Sequence, residues 1–342
     1  LIGENKGPIE AYLGIEDIVQ LALRKGADAI HPGYGFLSEN PMFAKRCEDA
    51  GIVFLGPKSY MIESLGDKIK SKIIAKKAGV PTIPGSDAPL KTEEEALNFA
   101  RVCGYPIMLK AAAGGGGRGM RVVYDEKDMI SSFRNARNEA KKAFGIDDIF
   151  IEKYLIDPKH IEIQVLGDTQ GNIVHLFERD CSIQRRHQKI VEFAPSITIA
   201  GALHYESAGT VEFLVDKNLN HYFIEMNPRI QVEHTVSEMI TGIDIVQSQI
   251  LIGQGYSLNS EEIGISSQDS ITTRGYAIQC RVTTEDPSNN FAPDTGKISD
   301  YRTGSGFGIR LDGGNGFTGS LVTPYYDSLL VKIISWSRTF ED

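Results

Sequence analysis

The stretch Tyr105-Pro106-Ile107-Met108-Leu109-Lys110 precedes a glycine run, Gly114-Gly115-Gly116-Gly117-Arg118-Gly119, and Met120-Arg121-Val122-Val123-Tyr124 follows it. Both flanking segments are apolar and predict strands. The glycine run matches the dinucleotide-binding pattern G-x-G-x-x-G, but that pattern requires a helix after the glycines. A Walker A loop is excluded because no Gly-Lys-Ser/Thr follows. We therefore predict a hairpin with a glycine tip, which either folds over a polyphosphate or forms only a flexible turn.

The overall composition restricts the class of protein. With 342 residues, 41% of them hydrophobic and 24% charged, the chain is long enough for two or three separate cores. Its net charge of −9 argues against a nucleic-acid or anionic-membrane surface, so local basic groups must hold any anionic ligand. The sequence has neither a membrane-length apolar run nor a signal-peptide pattern. We expect both ends to continue in a longer protein.

The cysteines predict a reducing compartment, because they are far apart and form no C-x-x-C pair. We expect single buried thiols, and neither a disulfide framework nor a zinc site. The four residues are Cys47, Cys103, Cys181 and Cys280.

Residues 1–66 alternate between predicted helices and strands. We expect helices near 15–25 and 40–50 and strands near 28–31 and 52–55, which indicates a parallel α/β unit. The turn after the first strand contains Tyr34 and Glu39, at the edge where open α/β sheets bind ligands. The alternative is that these two side chains only cap and pack the turn.

The rest of the chain divides into two further units, 67–255 and 256–342. The first opens with a Lys-rich helix and contains a small α+β region, about 82–154, around the glycine hairpin. A helix start is predicted at Thr92–Glu95. From about residue 156 onward we expect antiparallel strands and turns. The predicted strands of this part include 160–167, 172–179, 275–283 and 328–336.

A second hairpin, residues 210–227, carries the strongest chemical signal. A four-residue turn at 217–220 places Glu212 opposite Glu225, with Asn227 on the same face. Two opposed carboxylates on an otherwise apolar hairpin repel each other unless a cation lies between them. Oxygen-only ligands suit Mg²⁺ or Mn²⁺, with phosphate oxygens completing the shell. The alternative is neutralisation by a nearby Arg or Lys.

Two polar segments flank this hairpin. If the chain beyond it is extended, Arg229, Gln231 and Glu233 point the same way. A forked donor, an amide and a carboxylate can together bind a small planar anion and remove its proton. The basic segment Gln184–Lys189 is by itself typical of a solvated surface, but beside acidic metal ligands it would supply cations for phosphates. Alone, the histidines of this region would be structural.

Several motifs, read together, resemble the biotin carboxylases of the ATP-grasp superfamily over nearly the whole chain. They are His31–Asn40, the glycine hairpin with Arg118 and Met120, Glu178–Lys189 and Glu225–His234. The later motifs resemble the pyruvate carboxylase group more than the acetyl-CoA and propionyl-CoA carboxylases. These are Cys280–Pro287, Gly308–Asp312 and Thr323–Lys332.

The resemblance implies a biotin carboxylase fold, truncated at both ends, that combines α/β and α+β parts. Residues 1–66 would be a partial N-terminal parallel α/β subdomain. Residues 67–255 would be the ATP-grasp domain, with a lid subdomain at about 82–154. Residues 256–342 would be a partial C-terminal antiparallel-sheet lobe.

The resemblance also implies a role for each matching residue. The residues that match the family's ATP site are Lys68, Lys110, Gly115, Gly116, Gly117, Arg118, Gly119, Met120, Glu152, Lys153, Tyr154, Leu155, His160, Gln184, His187 and Leu214. The metal ligands would be Glu212, Glu225 and Asn227. The bicarbonate pocket would contain Lys189, Arg229, Gln231 and Val232, with Glu233 as general base. Arg310 would stabilise deprotonated biotin, and Tyr34 would lie near the biotin entrance.

The implied reaction is ATP- and bicarbonate-dependent carboxylation of biotin through carboxyphosphate. The implied partners are a biotinylated carrier domain and a carboxyltransferase domain elsewhere in the parent protein, in a homo-oligomer that converts pyruvate to oxaloacetate. We expect a bacterial cytoplasmic protein, or one of the mitochondrial matrix or cytosol in a eukaryote. The alternatives are an acyl-CoA carboxylase subunit, another ATP-grasp ligase such as a carbamoyl-phosphate synthetase, and a non-catalytic nucleotide-binding module.

The chain departs from the family pattern between 199–202 and 205–209. The family has a helix of about five turns there, for which this stretch is too short. We expect either a deletion or an incomplete record of a longer chain. The family's opening β-α-β unit, its closing helix, the biotinyl Met-Lys-Met motif and a carboxyltransferase domain are also absent from this sequence.

Overall fold

The fold is taken from a computed structural model, which describes residues 2–112, 119–185, 188–194, 205–314 and 316–341. Several predicted features lie outside the described residues. These are Gly115, Gly116, Gly117 and Arg118 of the glycine loop, His187, and the short stretch 195–204. The side chain of Lys68 is not described either.

The N-terminal unit is a small parallel α/β layer, as predicted. Its strands are β1 (Ala29–Ile30) and β2 (Val53–Phe54), which pair in parallel. Its helices are α1 (Pro8–Tyr12), α2 (Ile15–Lys25), α3 (Pro41–Asp49) and α4 (Ser59–Gly66). Apolar residues of α2, α3, α4 and β2 form one core, in which Val19, Phe43 and Ile62 are almost fully buried.

The lid region is a three-stranded antiparallel sheet covered by two helices. The helix α5 (Lys68–Lys77) leads into it. Its elements are α6 (Glu93–Cys103), β3 (Ile107–Ala111), β4 (Met120–Val123), α7 (Met129–Phe144) and β5 (Ile149–Lys153), with strand order β4-β3-β5. The predicted helix start is confirmed, because Thr92 and Glu95 form a reciprocal capping box. Gly119, directly before β4, has φ +75°, a conformation that favours glycine.

An eight-stranded antiparallel sheet forms the body of the molecule. Its strands are β6 (Lys159–Gly167), β7 (Ile173–Arg185), β8 (Gln188–Ala194), β9 (Ser207–Val215), β10 (His221–Asn227), β11 (Tyr276–Thr283), β15 (Ile309–Gly313) and β17 (Leu329–Ser337). They lie in the order β10-β9-β6-β7-β8-β11-β17-β15. Four short strands complete the fold: β12 (Glu285–Asp286), β13 (Ala292–Pro293), β14 (Gly296–Lys297) and β16 (Leu321–Val322). The large sheet therefore continues across the predicted boundary near residue 255.

The prediction of only strands and turns after residue 156 is wrong, because this part of the chain also contains two α-helices. They are α8 (His234–Thr241) and α9 (Ile245–Gly253). The sequence Ile-Val-Gln-Ser-Gln-Ile-Leu-Ile-Gly of α9 is apolar on most sides and shows little helical periodicity. Asp244 caps α9 by accepting a hydrogen bond from the N–H of Gln247 at 2.8 Å. None of the described helices is both long and apolar enough to cross a membrane.

The hairpin of β9 and β10 pairs Glu212 with Glu225, as predicted. Two features of the hairpin differ from the prediction, the length of its turn and a bulge in β10, and their effects on the register cancel. The turn has five residues, since Val215 pairs with His221, and one extra residue, Ile224, bulges from β10. The longer turn moves the register by one position and the bulge moves it back.

Candidate active site

A cleft of about 1910 Å³ lies between the lid and the large sheet. Most of the predicted site residues that the structure describes line it. They are Tyr34, Lys110, Met120, Glu152, Lys153, Tyr154, Leu155, His160, Gln184, Lys189, Glu212, Leu214, Glu225, Asn227, Arg229, Gln231, Val232 and Glu233. Arg310 is described but does not line the cleft, and Gly119 directly precedes Met120 at its edge.

Lys189, on β8, is at the centre of the site. Its Nζ donates to the carboxylates of Glu162, Glu212 at 2.9 Å and Glu233 at 2.7 Å. Burial alone would lower the pKa of Lys189, but the three carboxylates raise it well above its usual value. The side chain is therefore a fixed cation that holds three acidic groups together.

Glu212 is the most heavily contacted of the three. Its Oε1 accepts hydrogen bonds from Lys189, from Asn227 Nδ2 at 2.8 Å and from Gln231 Nε2 at 2.9 Å. Its Oε2 lies 2.7 Å from Nε2 of His160. Burial would raise the pKa of Glu212, but His160 and Lys189 hold it far below its usual range. Glu212 is consequently an ionised carboxylate held in one orientation by its hydrogen bonds.

The residues of the hairpin fit a hard divalent cation. Glu212 and Glu225 occupy opposed register positions, both line the cleft, and Asn227 adds an amide oxygen two residues further on. Such oxygen ligands suit Mg²⁺ or Mn²⁺. A different combination, His160, Glu162 and Glu212, brings its ligand atoms within 4.8 Å of one another. Within this combination, Glu162 is already held by Arg179 and Lys189, which lower its pKa to about 2 despite burial.

Arg179, which the sequence analysis did not assign, organises the floor of this site. It is fully buried, and all five of its N–H groups have acceptors. These acceptors are Glu162 at 2.6 Å, Gln164 at 2.7 Å, Ser237 at 3.0 Å, Thr210 at 3.1 Å and Gln231 at 3.1 Å. The period-two polar pattern of His160, Glu162 and Gln164 on β6 was the sequence signal that could have revealed a buried polar layer.

Glu233 has a second cationic partner, which was also missed. Its Oε2 accepts from Nη2 of Arg281 at 2.9 Å, and the Nε of Arg281 donates to the fully buried Glu192 at 2.9 Å. Burial raises the pKa of Glu192, against the opposing effect of Arg281. Gln279 Nε2 donates to the other oxygen of Glu192 at 2.9 Å. Strand β11 thus anchors Glu233 from the C-terminal part of the chain.

The chain from Arg229 to Glu233 is not extended, so the condition under which its polar side chains would point the same way is not met. It bends and turns into α8, whose N-cap position is Glu233. Gln231 and Glu233 still reach the same network, from either side of the Lys189–Glu212 contact. Arg229 instead donates to Asn227 Oδ1 at 3.3 Å, and its Nε lies 3.2 Å from Glu39.

The lid side of the cleft carries lysines around one buried carboxylate. Glu152 accepts hydrogen bonds from Lys110 on β3 and from Lys72 on α5, which the sequence analysis did not assign. Lys153 points the other way and donates to the carbonyls of Gly104 at 2.8 Å and Tyr105 at 3.0 Å. Across the cleft, Gln184 Nε2 lies 3.1 Å from Nδ1 of His160.

Arg310 belongs to a neighbouring charged group rather than to the cleft. Its Nη1 donates to the buried Glu238 at 2.6 Å. Lys332 pairs with Asp312, donates to the carbonyl of Val232 at 2.8 Å and lies 5.7 Å from the ring centroid of Tyr34. This group connects the predicted biotin entrance to the backbone of the predicted bicarbonate pocket.

Three family models match consecutive parts of the chain. Residues 1–62 match "Biotin carboxylase, N-terminal domain", residues 67–261 match "Carbamoyl-phosphate synthase L chain, ATP binding domain" and residues 279–342 match "Biotin carboxylase C-terminal domain". The chain belongs to the biotin carboxylase family. The predicted family and mixed α/β fold are confirmed. A separate carbamoyl-phosphate synthetase is disfavoured, because both flanking models are those of biotin carboxylases.

This chain is 58% identical to the pyruvate carboxylase of Bacillus subtilis, over 100% of this chain and 31% of the relative. The chain thus spans about a third of the length of the curated relatives it matches. The match covers 356 residues, 14 more than the 342 of this chain, so this chain is shorter within the matched region.

Solved structures agree with this placement. One is the biotin carboxylase domain dimer of 2-oxoglutarate carboxylase from Hydrogenobacter thermophilus, in complex with MgADP, ADP and bicarbonate. It is 52% identical, with a TM-score of 0.86 over 99% of this chain and 76% of that chain. The biotin carboxylase subunit of a pyruvate carboxylase is also 52% identical, with a TM-score of 0.81 over 98% of this chain and 76% of that chain.

Proposed function

We propose that this chain is the biotin carboxylase domain of a pyruvate carboxylase and carboxylates biotin with ATP and bicarbonate. The observation that carries the proposal is the convergence on Lys189 of Glu212 and Glu233. One of these carboxylates belongs to the candidate metal pair, and the other is a candidate proton acceptor. A site that both binds a metal-nucleotide complex and deprotonates a second substrate is what joining bicarbonate to a phosphoryl group requires.

In the first step, Glu233 removes the proton of bicarbonate, and a bicarbonate oxygen attacks the γ-phosphorus of ATP. The new O–P bond forms as the bond to ADP breaks, and the product is carboxyphosphate. Arg229 and Gln231 orient the bicarbonate, while Lys110 binds ATP phosphates. Glu212, Glu225 and Asn227 would hold Mg²⁺ or Mn²⁺, which neutralises charge on the transferring phosphoryl group.

In the second step, carboxyphosphate breaks into CO₂ and phosphate. The phosphate takes the N–H proton of biotin, and the deprotonated nitrogen attacks CO₂. Arg310 is assigned to the negative charge that develops on biotin, and Tyr34 to the entrance through which biotin arrives. A closed lid would keep water from carboxyphosphate during these events.

The remaining partners belong to the parent protein. We infer a biotinylated carrier domain that delivers biotin and a carboxyltransferase domain that passes the carboxyl group to pyruvate, giving oxaloacetate. The name of the Bacillus subtilis relative supports pyruvate as the acceptor. The dimer of the 2-oxoglutarate carboxylase domain supports a homo-oligomer.

The proposal is tested by measuring how much label from bicarbonate is incorporated into biotin in the full-length protein. We expect labelled bicarbonate to enter biotin only when ATP and Mg²⁺ or Mn²⁺ are both present, and to appear in oxaloacetate when pyruvate is added. Transfer to 2-oxoglutarate instead of pyruvate would correct the acceptor. ATP binding without biotin-dependent ATP cleavage would show a nucleotide-binding module and overturn the proposal.

Replacing Glu225 with Gln is expected to weaken Mg·ATP binding or turnover by at least about 10-fold, as loss of a metal ligand should. Because the carboxylate acts through the metal, affinity for ATP without divalent metal should not fall. Calorimetric titration with and without Mg²⁺ measures both. The exposed Glu261→Gln is the matched control. A structure with nucleotide in which metal binds away from Glu212 and Glu225 would contradict the assignment.

A further inference from the structure

Glu152, on β5 of the lid, is a buried carboxylate shared by two lysines. Only 7% of its surface is exposed. Its Oε1 accepts from Nζ of Lys72 and its Oε2 from Nζ of Lys110, so each carboxylate oxygen has one cationic partner. Both lysines line the cleft, but they come from different parts of the chain, α5 and β3.

The two lysines offset the cost of burying this charge. Burial would raise the pKa of Glu152, yet the nearby charges of Lys110 and Lys72 lower it below its usual value. A buried carboxylate that loses all its cationic partners is strongly destabilised, because neither water nor an opposite charge then compensates it. The site therefore needs at least one lysine on Glu152 at all times.

ATP binding would draw one of these two lysines away from Glu152. Under the function proposed above, Lys110 binds ATP phosphates, and its ammonium group must then turn from Glu152 toward a more highly charged ligand. Lys72 contacts the other oxygen of Glu152 and is free to stay in place. Its side chain is about one-third exposed, so it reaches Glu152 from the rim of the cleft.

We propose that Lys72 is a positioning residue for nucleotide binding: it remains on Glu152 as the counter-charge and thereby releases Lys110 to the ATP phosphates. Lys72 thus lowers the cost of ATP binding without touching the nucleotide. This inference rests on the proposed function, because it assumes that ATP phosphates engage Lys110.

The test compares ATP with adenosine by calorimetric titration of the full-length protein. Adenosine has no phosphates, so its binding does not require Lys110 to leave Glu152. In Lys72→Met we expect the Kd for ATP to rise roughly 10-fold, in keeping with the loss of one partner from a largely buried pair. The Kd for adenosine should stay within about twofold of wild type. Lys72→Arg, which keeps the charge, should restore ATP affinity.

Lys70→Met is the matched control, since Lys70 lies on the same helix and pairs with the exposed Glu63 at 3.2 Å. It should bind both ligands as the wild type does. Equal weakening of ATP and adenosine by Lys72→Met, or no weakening of ATP, would overturn the inference. A wild-type protein that binds no ATP would instead overturn the proposed function.

A double-mutant cycle separates our inference from direct contact between Lys72 and phosphate. In the Glu152→Gln background there is no buried charge to compensate, so Lys72→Met should no longer change the Kd for ATP. If Lys72 bound phosphate directly, the loss of affinity would persist in that background. Persistence of the full 10-fold effect would therefore reject the counter-charge role.

Discussion

Glu233→Gln is expected to abolish most bicarbonate-dependent ATP cleavage. We expect the rate to fall by about 10²–10⁴-fold, the usual contribution of a positioned general base. The replacement keeps the shape of the side chain but removes the carboxylate that we propose accepts the bicarbonate proton. This carboxylate is well fixed, because Lys189 holds Oε1 at 2.7 Å and Arg281 holds Oε2 at 2.9 Å. ATP cleavage is measured by phosphate release with and without bicarbonate.

Two measurements show whether this loss arises in the chemical step and not from weaker ATP binding or a damaged fold. Mg·ATP affinity should be nearly unchanged in Glu233→Gln, since the carboxylate does not belong to the candidate metal set. Glu261→Gln, an exposed change of the same kind, should leave ATP cleavage at the wild-type rate. Retention of bicarbonate-dependent cleavage within about fivefold would contradict the role of Glu233 as general base.

The acidic pair of the site was predictable because strand geometry is local. Glu212 and Glu225 belong to one hairpin, and the alternation of side chains along a strand places residues on faces without reference to the rest of the fold. The turn length and the bulge at Ile224 were not predictable from this alternation. A turn one residue longer and one unpaired residue leave the spacing between the carboxylates and the register unchanged.

The cationic half of the site was harder to predict because it comes from distant segments. Arg281 and Glu192 meet Glu233 only because β11 pairs with β8, and no local pattern encodes that pairing. Lys72 lies in a helix whose many lysines are typical of a solvated surface. The resemblance to biotin carboxylases supplied individual positions such as Lys189, but it did not reveal which charges support them.

The charges of this site are paired in a way that indicates function rather than stability. The buried acids Glu162, Glu212 and Glu233 surround Lys189, with Arg179 and Arg281 completing the set. Apolar side chains of similar volume would usually pack here at no loss of stability, since desolvation offsets much of the attraction within such pairs. Six charges gathered at a cleft are instead typical of a site where charged ligands react.

Arg310→Ala is expected to separate the two halves of the reaction. ATP cleavage with bicarbonate should survive largely, because Arg310 lies outside the cleft lining and contacts Glu238 rather than Glu233. Carboxylation of free biotin should fall by about 10²–10³, the usual cost of removing one preorganised donor from a developing negative charge. The two activities are assayed in parallel on the same preparations.

The pairing of Arg310 with Glu238 requires one more variant. Glu238 is buried, and burial raises its pKa even with Arg310 beside it, so Arg310→Ala alone leaves a poorly compensated carboxylate. The double variant Arg310→Ala, Glu238→Gln leaves no buried carboxylate without a cationic partner at this position. We expect it to show the same selective loss of biotin carboxylation. Glu238→Gln alone provides the reference. If ATP cleavage and biotin carboxylation fall by the same factor in both the Arg310 and the Glu233 variants, the two residues serve one step, and the division of labour proposed here is wrong.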